Sequence, residues 1–190
     1  VPITPLHPKS RYKQGKAFNF IRPMFQVNED KIHFVFATDT LFHTHDLSKA
    51  ENGLTVEGIP FDDFILNPGY PFGGSEDYDT PKPRKGEVES YFKVDEKDLI
   101  LYRSGLSLDV IIANKTATQE DAKKINARLN PLKFLVREAE GVYSEVGLCP
   151  TNFTPTHVDG KNRLWARQHV ELLDQEPEFY TIYQVALVPQ

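Results

Sequence analysis

Short stretches in which every second residue is apolar recur from residue 31 onward, most of them closed by Gly, Pro, Asn or Asp. Side chains alternate sides along an extended strand, so this pattern buries one face of a sheet and wets the other. In residues 31–37, Ile32, Phe34 and Phe36 point one way, and His33 and Val35 the other. Leu54 and Val56, then residues 64–66, predict short strands around the Gly58-Ile59-Pro60 break. Val88, Ser90, Phe92 and Val94 are expected on one face of a strand, residues 99–102 form another, and Leu106, Leu108, Val110 and Ile112 a third. Residues 132–137 and 142–148 read as a hairpin, and residues 164–173 and 179–188 as a longer one. The last strand is apolar or aromatic on both faces, with Tyr183 and Val185 on one and Ile182 and Ala186 on the other. Such a strand is central in a layered structure or is covered by another chain.

One segment breaks the two-residue period. Thr118 suits a helix N-cap, and Gln119, Glu120 and Asp121 fill a first turn where acids favour the helix dipole. Ala122, Ile125 and Leu129 recur at helical spacing until Asn130-Pro131, which predicts one amphipathic helix over residues 119–129. The expected fold is therefore mainly β, an antiparallel sandwich or barrel of eight or nine strands. The 13 Phe and 8 Tyr in 190 residues suit pleated surfaces and a sizeable core. Strands and helices do not alternate, which argues against a doubly wound α/β fold. No apolar run approaches the roughly 20 residues of a membrane-spanning helix. Cys149 is the single cysteine, so the chain forms no intrachain disulfide.

Charge is distributed unevenly. Residues 1–28 carry Lys9, Arg11, Lys13, Lys16 and Arg22 and no acid, which leaves −10 on the remainder of a chain whose total is −5. Three prolines among the first ten residues favour extended backbone there. Residues 1–28 are thus expected to be a basic extended arm on a single β-rich domain of residues 29–190, lying against an acidic surface or a polyanion such as nucleic acid. Residues 67–86 hold four Pro and four Gly and also Tyr70, Phe72 and Tyr78. Irregular stretches of this length tend to be functional, and these aromatics suggest a contact loop.

Candidate chemistry centres on His43, His45 and Glu51. Histidines two apart on a strand project to one face, and a following carboxylate completes a set suited to one divalent ion such as iron, manganese or zinc. This His-x-His, with Glu51 and Gly58 after it, is similar to the first metal motif of cupin-type barrels. It differs by one extra residue before Glu51 and by the lack of a second histidine motif. The stretch from Thr156 to Asn162 resembles the histidine hairpin of HNH nucleases, but a strand-like segment follows it where those enzymes place a helix. Trp165 with Tyr180 and Tyr183 offers a stacking platform for a sugar or base.

The leading expectation is a non-catalytic structural or assembly protein without a cofactor. It would act through contacts with other chains, as a homo-oligomer or part of a larger assembly, by analogy with virion and phage-tail parts. Lys9, Arg11, Lys13, Lys16, Arg22, Tyr70, Phe72 and Tyr78 would make those contacts. The alternatives are a small metal-dependent, cupin-like β-barrel enzyme and a polyanion- or sugar-binding module.

Overall fold

The computed structural model describes residues 6–19, 21–74, 81–115, 118–149, 153–168 and 181–186. Among these, thirteen strands form antiparallel sheets. The first sheet joins β2 (Pro23–Asn28), β3 (Lys31–Phe36), β4 (Leu41–Asp46) and β5 (Leu54–Gly58) in that order. The second is ordered β10-β9-β8-β7, from β7 (Glu87–Val94), β8 (Lys97–Arg103), β9 (Lys133–Ala139) and β10 (Val142–Leu148). The third holds β11 (Phe153–Val158), β12 (Leu164–Gln168) and β13 (Ile182–Val185). A two-stranded ribbon joins β1 (Lys16–Ala17) to β6 (Tyr70–Pro71). The chain is mainly β and its sheets stack as in a sandwich.

The second sheet is the middle layer. Ile100, Tyr102, Leu135, Val88 and Tyr91 pack from one face against Val35 and Phe42 of the first sheet. Leu99, Leu101, Phe134, Val136 and Phe92 pack from the other face against Leu164 of the third, with Phe153, Val158 and Val185 beside it. Asp98 to Tyr102 are consequently all buried. Strict alternation makes this possible, since even positions of β8 serve one core and odd positions the other.

Several local expectations change. Residues 106–112 are not a strand. α1 (Leu108–Ala113) forms there because Ser107 caps it, its side chain accepting from Val110 N–H, with Asp109 in the first turn. The described residues therefore hold two α-helices rather than one. The other, α2 (Gln119–Leu129), starts at Thr118 as expected, whose hydroxyl accepts from Asp121 N–H. Residues 64–66 stay irregular. A bulge between Val88 and Ser90 rotates β7, so Val88 joins Tyr91 in one core while Phe92 and Val94 face the other. β11 accommodates Pro155 beside a register shift. Residues 23–28, read as arm, are the edge strand of the first sheet. The final hairpin pairs Leu164 with Val185 and Arg167 with Ile182, which puts β13 at a sheet edge.

The two-sided burial of β8 gives a direct test. Leu99→Ala, at a site with no exposure, should cost about 2–5 kcal/mol in urea unfolding. Ile182→Ala, on an exposed rim, should change stability by no more than about 0.5 kcal/mol.

Candidate functional site

The outward face of the first sheet is apolar nearly throughout. Register places Phe25, Phe34, His43 and Val56 in one row across the four strands, and Val27, Ile32, His45 and Leu54 in the next. The N-terminal arm covers part of this face. Ser10 Oγ donates to Asp39 Oδ2 at 2.6 Å, and Arg11 Nη1 donates to the Thr38 carbonyl at 2.9 Å. The Tyr12 ring stands edge-on to Phe36 at 5.1 Å and to Phe18 at 4.9 Å. The arm thus lies on its own body. Arg22 does likewise, donating to the Val88 and Glu89 carbonyls at 3.0 and 3.1 Å and pairing with Glu87. Lys9, Lys13 and Lys16 are exposed.

The contact loop is also anchored at its described ends. β6 pairs with β1, Tyr70 OH donates to Asn19 Oδ1 at 2.5 Å, and Gly86 N–H donates to the Ile65 carbonyl. Gly69, at φ +64, brings its Cα so close to Ala17 and Phe18 that a Cβ would collide with them. Phe72 is 76% exposed. Tyr78 lies outside the described residues.

His43 and His45 share a face, as the spacing of two predicts, but it is the aromatic face under the arm. His43 is fully buried, stacked on Phe34 at 4.5 Å and edge-on to Phe36 at 5.4 Å. Both of its ring nitrogens and His45 Nδ1 are buried without a hydrogen-bond partner. Burial lowers the His43 pKa, against the opposing pull of Asp39 and of the nearby Leu41 and Phe34 carbonyls, so the ring is neutral. The Glu51 side chain lies outside the described set, and among the described residues no three His, Cys, Asp or Glu side chains stand close enough to hold an ion. The three-residue set His43, His45 and Glu51 thus lies partly outside the described residues.

The second histidine segment is organised around Asp159. Asp159 accepts from the N–H groups of Lys161 and Arg163, from Arg163 Nε and from Trp165 Nε1, which fixes the turn before β12. Arg163 lies over the Trp165 ring at 5.2 Å, and His157 stacks beside it at 6.5 Å. Burial pushes the Cys149 thiol up to about 11, leaving it protonated and inert.

A polar cleft of about 350 Å³ opens where the first and second sheets meet, lined by His33, Thr44, Lys93, Glu57 and Arg137 among others. Its floor is a charge network that ties the sheets together. Arg137 Nε donates to Glu57 Oε1, and Arg137 Nη1 to Asp98 Oδ2 at 3.0 Å. Tyr143 OH and Gly141 N–H donate to the same Glu57 carboxylate, and Tyr91 OH donates to Asp98. Arg137 also lies over the Phe42 ring at 4.4 Å. Burial disfavours ionised Glu57, yet the hydrogen bonds from Arg137, Tyr143 and Gly141 outweigh it and hold the pKa below the ordinary value. Neither the basic arm nor the alternation of β5 signalled this network, because its members are 80 positions apart in the chain.

The sheet edges differ in how they are protected. Edge strands are commonly blunted by charges, bulges, proline or short length. β7 has Glu87, Glu89 and Lys93, a bulge, and the Arg22 guanidinium on its carbonyls. β10 is bulged twice, β11 holds Pro155 and a bulge, and β5 carries the inward-pointing Glu57. β13 spans only four residues. β2 has six, none charged, no bulge, and a proline only at its first position. On its outward face Phe25 and Val27 are 61% and 60% exposed, with Ile21 just before them also exposed.

Comparison of the chain with protein families, with curated proteins and with solved structures finds no match. No helix among the described residues is long and apolar enough to cross a membrane.

Two outcomes test these sites. Arg137→Met leaves Asp98 and Glu57 without their guanidinium and should cost roughly 3–5 kcal/mol in chemical unfolding. The depressed His43 pKa places its contribution above the unfolded value of about 6.5, so stability falls as pH drops below that value. His43→Phe, which preserves the ring stack, should reduce the loss of urea midpoint between pH 7.5 and 5.5.

Proposed function

We propose that this protein is a non-catalytic structural module that works by associating with copies of itself. The observation that carries this reading is the exposed, uncharged edge strand β2, with Phe25 and Val27 left in water on a face whose other aromatics are covered. Exposed apolar residues on an unprotected sheet edge mark a site of strand pairing. β13 adds to it, since Ile182 and Tyr183 are exposed at the rim of the third sheet. The basic arm and the described ends of the 67–86 loop support the reading less than their composition suggested, because both are bound to their own domain. Arg11 and Arg22 are engaged with backbone carbonyls, and Arg163 lies over the Trp165 ring, so a polyanion would be left chiefly with the exposed Lys9, Lys13 and Lys16.

Sedimentation equilibrium at micromolar concentration measures the mass directly. The expected result is a species of at least about twice the 21.7 kDa chain mass. A monomer at all concentrations up to the solubility limit contradicts the proposal.

A further inference from the structure

We infer that two copies join edge to edge through β2, antiparallel, about a twofold axis passing through Gln26. This rests on the self-association proposed above and names its site and register.

Backbone alternation supplies the first argument. The Arg22 carbonyl accepts from Ala37 N–H, in line with the register that pairs Pro23 with Phe36. Inter-strand hydrogen bonds alternate along an antiparallel pair, so Met24 and Gln26 bond toward β3 while Phe25 and Val27 turn their N–H and C=O groups outward. A strand added at this edge must meet those two residues. Identical antiparallel strands match faces only when the axis runs through a residue, because directly opposite residues share a face.

The axis through Gln26 sets Phe25 opposite Val27 of the copy, twice, and both pairs fall on the outward face where these side chains are exposed. It also lets each outward N–H donate to an outward carbonyl of the copy. An axis through Phe25 would instead oppose Val27 with Pro23, which has no N–H to donate.

Charge points to the same partner. The strand itself is uncharged, so a second copy meets no like charge along it. Arg22 at its start is already paired with Glu87, so the Glu29-Asp30 end of the copy meets no concentrated like charge from Arg22's side of the strand. The product is one continuous sheet built from the two four-stranded outer sheets. Closed twofold pairing of this kind uses the same patch on both subunits.

Single-cysteine crosslinking reads the register. Directly opposite residues in a non-hydrogen-bonded pair have Cα atoms about 4.5 Å apart, within disulfide range. The native Cys149 is buried. Under mild oxidation Gln26→Cys should therefore give a covalent dimer. Phe25→Cys alone should not, because its own copy lies diagonally, about 7–8 Å away. The Phe25→Cys, Val27→Cys double variant should crosslink. Val27→Lys, at an exposed position, should bring the mass to that of a monomer while its far-ultraviolet circular dichroism at 25 °C matches wild type. If wild type self-associates but Gln26→Cys stays uncrosslinked, or Ile182→Cys crosslinks in its place, this interface is wrong and self-association stands on another surface. If wild type is monomeric, both proposals fall.

Discussion

Strand β8 is buried on both faces, and that constraint shapes the rest of the molecule. A sheet with a layer packed on either side offers another molecule little beyond the polar cleft at its margin, where Lys93 and Arg137 reach the opening. Most of the surface available for contact then lies on the outer layers and at the strand edges. The first sheet is an outer layer with an apolar outward face, and the N-terminal arm covers only part of it. What is left open is the β2 margin, where Phe25 and Val27 extend the same rows that bury Phe34 and His43 further in.

The Arg137 network holds this outer layer to the middle one. Buried ion pairs add little net stability against their desolvation, but they penalise alternatives strongly, because any other register leaves a charge unpaired. Here one guanidinium joins Glu57 of β5 to Asp98 of β8, with Tyr91 and Tyr143 completing the hydrogen bonding. We read it as a device that sets how the two sheets face each other. The network reaches the first sheet at β5, the edge opposite β2, and so leaves the β2 edge free of it.

Much of the fold was legible where one physical signal acted alone. The alternation of residues 31–36, the 133–148 hairpin and the Thr118 cap of α2 are local features, and each formed as its residues suggest. The misreadings arose where two signals competed. Residues 108–112 alternate, but they also carry Ile111 out of phase, and the Ser107 cap tips them into a helix. β2 was hidden because its turn, Glu29-Asp30, lacks Gly or Asn; Glu29 itself takes the left-handed conformation at φ 51. With that turn unseen, the strand looked like the end of the arm. The histidine pair shows a different limit. Its shared face followed from spacing, whereas the rings against His43 are Phe34 and Phe36 of β3, with Tyr12, more than 30 positions before His43, edge-on to Phe36.

Concentration-dependent amide hydrogen exchange interrogates the edge itself. Phe25 and Val27 amides point away from β3 and are open to water in an isolated chain. If β2 is the seam between two copies, their protection should rise with protein concentration, while the amides of β13 and of α1 exchange at unchanged rates. Phe25 and Val27 amides that exchange equally fast in dilute and concentrated samples of an associating protein would show that the edge stays unpaired.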